Sequence, residues 1–142
     1  MSAALKAWKL QWPGTSLALA QCEVIEVVEE PEVYDVPLGP HWCRGLLHWR
    51  GQLIPLAFGG LRDTPYVIVV AYQSAPKQPL QFAALGLTSV PKMFEVPADA
   101  DRDLPTSCEL REEQVRACLE HDGETLIVPE LHRLFARPDS LA

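Results

Sequence analysis

The residues best suited to chemistry lie close together at His41, Cys43 and His48. Imidazole and thiolate are the usual ligands of zinc and the usual members of a thiol-nucleophile pair. The spacing H-x-C-x4-H lacks a fourth ligand, and the other cysteines, Cys22, Cys108 and Cys118, are remote in sequence. No metal is expected, because a structural zinc site needs four converging donors. Thiolate activation needs an electropositive pocket, and only Arg44 and Arg50 lie near Cys43 in sequence. There is no G-x-S-x-G, P-loop or G-x-G-x-x-G; Gly39, Gly45 and Gly51 punctuate strands. The acids Glu23, Glu26 and Glu30 recur at the spacing of one helical face and read as a solvated surface, not as an acid/base pair. The sequence therefore predicts no enzyme and no cofactor.

The elements that position these residues are short. Thirteen prolines in 142 residues exclude long helices, since each internal proline removes a hydrogen bond and clashes with the preceding turn. Residues 5–11 and 16–20 form an opening hairpin around Pro13-Gly14-Thr15. The stretch CEVIEVVEE, residues 22–30, has strand composition but acids at helical period, and the period predicts a short helix. PEVYDVPLGP is extended. YVIVVAY, residues 66–72, has the continuous β-branched character of a strand buried on both faces, and it pairs with the run LQFAALGL. Pro91 confines SVPKMFEV to an edge, and residues 98–107 make an exposed acidic loop. Asp122-Gly123 joins VRACLEH to ETLIV as a hairpin, and a short helix over 130–136 closes the chain, with Pro129 suited to open it. The architecture predicted is all-β: two small five-stranded barrels packed together, roughly 5–60 and 65–129 within one domain spanning 1–142, with one or two short helices.

Composition narrows the partners. A net charge of −7, without any stripe of Lys or Arg, argues against nucleic acid and against an anionic membrane surface. No apolar run approaches the ~20 residues that span a bilayer. Scattered cysteines without a CxxC pair suit a reducing compartment, so a soluble cytoplasmic protein is expected.

The informative segment is HWCRGLLHWRGQLIPLAF, residues 41–58, two apolar runs meeting at Arg50-Gly51. Both faces of this hairpin are apolar. One face fills a thin barrel; the other needs a cover, either the second lobe or a partner, since large exposed apolar patches are rare on solitary monomers. Arg50 at the tip cannot be core, because a lone buried guanidinium costs several kcal/mol. Arginine beside Trp49 and Leu47 has the composition of a protein–protein hot spot.

The same segment resembles the CheW-like domains of bacterial chemosensory systems. The matching residues are Val24-Ile25-Glu26-Val27, then Pro37 and Pro40, then Arg44-Gly45-Leu46-Leu47-His48-Trp49-Arg50-Gly51-Gln52-Leu53-Ile54-Pro55, with weaker likeness through YVIVVAY, LQFAALGL, EVP at 95–97 and GETLIVPELHRLF. The resemblance implies two five-stranded SH3-like barrels and a non-enzymatic adaptor. It implies as partners the cytoplasmic tip of a chemoreceptor (a methyl-accepting chemotaxis protein) and the regulatory domain of a CheA-type histidine kinase. By that likeness Val24, Glu26, Gly45 and Arg50 stand at coupling positions, with Trp49 and Leu47 adjacent, and Gly45 is a place where a helix can approach closely. The sequence departs from the family pattern at His48 for Asn, Trp49 for Leu, Ala57-Phe58 for Asp-Leu, Pro129 for Asp, and Ser89 in place of an acid. An adaptor in a pilus-motility system is the alternative within the family. A small-ligand sensor lined by Trp42 and Trp49 is the alternative of another class. A monomer, or a weakly self-associating protein, is expected.

Overall fold

The computed structural model describes residues 5–12, 15–35, 43–57, 65–96, 101–102 and 110–135. Twelve strands occur among them: β1 (Leu5–Trp12), β2 (Thr15–Ala20), β3 (Val24–Glu29), β4 (Val33–Asp35), β5 (Cys43–Trp49), β6 (Gln52–Ala57), β7 (Tyr66–Tyr72), β8 (Gln81–Leu87), β9 (Lys92–Val96), β10 (Asp101–Arg102), β11 (Val115–His121) and β12 (Glu124–Pro129). They form two six-stranded sheets, ordered β3-β7-β8-β6-β5-β4 and β10-β11-β12-β2-β1-β9. The expected all-β class holds, with a single α-helix among the described residues, α1 (Leu131–Leu134). The sheets hold six strands rather than five because the two short strands β4 and β10 extend them.

Strands do not divide between the sheets at residues 60–65, as the linear reading expected. β1 and β2 join β9–β12, while β7 and β8 join β3–β6. Two short parallel contacts make this possible: Ile127 beside Leu17, and Leu56 and Ala57 beside Ala84 and Leu85. Sequence periodicity carries no information about such long-range pairing.

Both sheets curl strongly. In the first, β3 and β5 are four strand steps apart, about 19 Å on a flat sheet; yet the Trp49 indole nitrogen is 3.3 Å from a carboxylate oxygen of Glu26. In the second, β9 and β11 are also four steps apart, and the Phe94 and His121 rings lie 4.5 Å centroid to centroid. Each curl encloses a small core. Leu47, Trp49, Ile54, Leu56, Val67, Val69 and Ala84 fill the first; Ala7, Ala18, Phe94, Leu119 and Leu126 fill the second. The largest cluster takes Leu10, Leu17 and Leu19 from one sheet, Ile68, Val70, Leu85 and Leu87 from the other, and Leu131, Leu134 and Phe135 from the α1 end. YVIVVAY is thus buried on both faces, as its composition predicts: Val67 and Val69 point into the first curl, and Ile68 and Val70 into the cluster shared by the sheets.

The helix expected over 22–30 is a strand. A 3₁₀ turn, Gln21–Glu23, leads into β3, which pairs antiparallel with β7. A register shift between Val24 and Glu26 makes Ile25 the extra residue of a bulge. The bulge breaks the alternation and leaves acids at a helix-like interval, while Val27 and Val28 pack into two different cores. Pro129 ends β12 instead of opening α1, whose N-cap is Glu130. The acidic segment 98–107 lies outside the described residues except for Asp101–Arg102, which pair with β11. Lys92–Val96 is an edge strand, as Pro91 foretold.

Candidate docking site

The hairpin of β5 and β6 turns through Arg50 and Gly51, both at positive φ, 48° and 78°. This is what a two-residue type I′ turn requires, and its twist matches the strands that flank it. The turn sets the phase of the ribbon. Leu47 and Trp49 point inward, fully buried and 6% exposed, and pack with Ile54 and Leu56. Arg50 remains outside, its side chain 63% exposed.

Leu47 and Trp49 therefore cannot contact a partner through an outer face, contrary to the reading from sequence. Both faces of the hairpin are apolar, so hydrophobicity alone does not say which one turns in. Gly45 is also buried on the inner side, between Asp35 of β4 and Leu56 of β6, next to a register shift that makes Arg44 the extra residue. Its carbonyl accepts from the Cys43 thiol at 3.5 Å. A bulge explains this glycine without an approaching helix.

Three of the predicted residues do converge. Glu26, on the face of β3 that also carries Val28, extends to the hairpin tip. One of its oxygens, Oε1, accepts from Arg50 Nη2 at 2.9 Å and from Trp49 Nε1 at 3.3 Å. The Arg50 guanidinium carbon stands 4.6 Å from the centre of the Trp49 ring, within cation–π range. Val24 is separate from this group; it is half-buried against the larger cluster between the sheets.

The outward side of the hairpin carries residues that sequence reasoning did not single out. Leu53 is 54% exposed and Tyr34, on the edge strand β4, 48%. With His48, Gly51 and Gln52 they line a shallow depression. The Glu32 carboxylate ties its rim together: the Tyr34 hydroxyl donates to it, and His48 Nδ1 lies 3.0 Å from its other oxygen. Tyr34 and then His48 hold the Glu32 carboxyl below the usual range, while Glu32 pushes the Tyr34 phenol up. The signal for this face was in the alternation, since His48 is a polar residue set between the apolar Leu47 and Trp49.

Cys43 is buried and His48 exposed, so these two do not converge; His41 lies outside the described residues. No group of three or more His, Cys, Asp or Glu side chains among the described residues could hold a metal ion. Trp42 lies outside them too, and Trp49 is packed against Phe82 at 5.3 Å between ring centroids, leaving no open pocket wall at that residue. Among the described residues no helix is long and apolar enough to cross a membrane.

The sequence matches the profile of the CheW-like domain over residues 11–139. The chain belongs to the CheW-like domain family. A search among curated proteins finds none that matches. Among solved structures, this CheW-like domain is similar to the scaffolding protein TtCheW of Thermoanaerobacter tengcongensis, with a TM-score of 0.74 and 20% identity, covering 95% of this chain and 94% of that one. At that identity the likeness speaks for the fold, and it agrees with the two curled sheets of this CheW-like domain.

Proposed function

We propose that the protein is a non-enzymatic adaptor of a chemosensory system, joining the cytoplasmic tip of a chemoreceptor to the regulatory domain of a CheA-type histidine kinase. The observation that carries this reading is Arg50: a solvent-facing cation at the tip of the family's signature hairpin, clasped by Glu26 and Trp49. Family membership supplies the class of partner. The exposed apolar residues beside the tip, Leu53 and Tyr34, supply surface to cover. Arginine with apolar neighbours is the usual composition of a hot spot. Val24 and Gly45 act in this reading through the shape of β3 and β5, and Leu47 and Trp49 by packing beneath the contact surface.

The test is capture of purified receptor signalling fragments and of the kinase regulatory domain by wild type and by Arg50→Ala. Losing a hot-spot arginine costs ~2 kcal/mol or more, a drop of about thirtyfold in affinity. Equal capture of both partners by the two proteins would remove Arg50 from the interface.

A further inference from the structure

We infer that Trp49 is a positioning residue for Arg50, fixing the exposed guanidinium to the buried core of the first sheet. An arginine at a hairpin tip ordinarily samples many rotamers, and binding must then order it at an entropic cost. Here the side chain is restrained on two sides. The Trp49 ring lies 4.6 Å beneath the guanidinium carbon, and Glu26 Oε1 accepts one Arg50 N–H at 2.9 Å. The same oxygen accepts the indole N–H of Trp49 at 3.3 Å, so Trp49 acts on Arg50 both directly and through Glu26.

Trp49 can transmit position because it is itself immobilised. It is 6% exposed, tilted 47° against the Phe82 ring, and packed in one cluster with Leu47, Ile54 and Leu56. An aliphatic side chain at this position would be apolar yet offer neither N–H donor nor aromatic face; phenylalanine would keep the face and lose the donor. The arrangement leaves the guanidinium's outer donors toward solvent in a set direction, which suits planar recognition.

The effect on partner capture rests on the adaptor reading above, whereas the geometry of the tip does not, and the experiment separates them. The full chain labelled with ¹⁵N is compared as wild type, Trp49→Phe, Trp49→Leu and Glu26→Gln. In wild type, the Arg50 side-chain protons should carry an upfield ring-current shift and the Trp49 indole N–H a downfield, hydrogen-bonded shift. Trp49→Phe should retain the ring-current shift and free the guanidinium to rotate faster. Trp49→Leu should abolish the ring-current shift, and Glu26→Gln should move the indole signal upfield while the remaining spectrum stays dispersed. Affinity for the receptor fragment or kinase domain should fall about three- to tenfold in Trp49→Phe. An Arg50 guanidinium that rotates no faster in Trp49→Phe than in wild type, or an indole signal unmoved in Glu26→Gln, would overturn the inference, and a dispersed spectrum shows that each variant is folded. If wild type captures neither partner, the adaptor reading fails while the Arg50 signals still decide the role of Trp49.

Discussion

Arg50 rests over the ring of the residue before it: its guanidinium carbon is 4.6 Å from the centre of Trp49, and one oxygen of Glu26 accepts a hydrogen bond from both side chains. An exposed cation is thereby tied to a buried indole and to a strand that is four steps away in the same sheet. The contact is also the point where β3 meets the hairpin tip. It belongs at once to the folding of the curled sheet and to the surface proposed above for docking.

The two roles separate in energy. Arg50 and Glu26 are exposed by 63% and 40% at their side chains, and ion pairs of this kind contribute at most ~1 kcal/mol to folding. Arg50→Ala is therefore expected to shift the urea midpoint little, while partner affinity falls about thirtyfold. A large loss of folding stability would mean that the tip contact is chiefly structural.

The inner and outer faces of the hairpin should respond in opposite ways. Leu47→Ala removes a fully buried side chain and should cost ~2–5 kcal/mol in chemical denaturation. Leu53→Ala, at a position 54% exposed, should stay within about 0.5 kcal/mol of wild type yet weaken partner capture. Equal costs at the two positions would contradict the inward phase of Leu47.

Gly51 and Gly123 provide a purely conformational comparison. They have φ of 78° and 76°, with nothing within 4 Å of an added Cβ. Gly51→Ala and Gly123→Ala should each cost about 1–2 kcal/mol, since left-handed backbone is penalised by a Cβ even in open space. Thermal denaturation of both variants checks this, and a neutral result at either turn would reject the positive φ there.

Two glutamates should move stability in opposite directions with pH. Lys9, 2.6 Å away, and the Ser16 hydroxyl hold Glu124 below its ordinary 4.5, so its contribution is present above that value and is lost as pH falls through the lowered folded value. Burial raises Glu23 above 4.5, so its ionised form costs stability at neutral pH and the cost vanishes as pH falls through the raised value. Glu124→Gln should thus be less stable than wild type at pH 7, and Glu23→Gln more stable, with both differences shrinking in acid. Urea midpoints measured from pH 7 downward decide both signs.

Thiol labelling reads the placement of three cysteines. Cys22 is exposed in the 3₁₀ turn, whereas Cys43 and Cys118 are buried. Peptide mapping after brief iodoacetamide treatment of native protein should find Cys22 modified and the other two protected until the chain is unfolded. Rapid modification of Cys43 would contradict the inward face of β5.

Much of this was legible from residue types. Asp122-Gly123 and Arg50-Gly51 marked their turns because few dipeptides accept two positive φ values in succession. YVIVVAY declared two buried faces through its unbroken β-branched run. The strand β3 was misread because a bulge at Ile25 imitates helical spacing, and bulges leave no local signature in composition. Leu47 and Trp49 were placed on the wrong side because apolar content was weighed over polarity, although His48 between them already marked the outer face. Glu26, Trp49 and Arg50 could be named individually from sequence. Their meeting at one oxygen depends on sheet curvature, which only the three-dimensional pairing fixes.

The interleaving of the strands also bears on how the molecule is made. β1 and β2 leave the ribosome early, but the strands that flank them, β9 and β12, follow roughly a hundred residues of translation later, about 5–20 s at typical elongation rates. The opening hairpin must wait as a nascent ribbon with its edges unmet while β3–β8 assemble first. A chain severed between β8 and β9 would strand that ribbon on the wrong fragment, so the two pieces should regain the fold only when mixed.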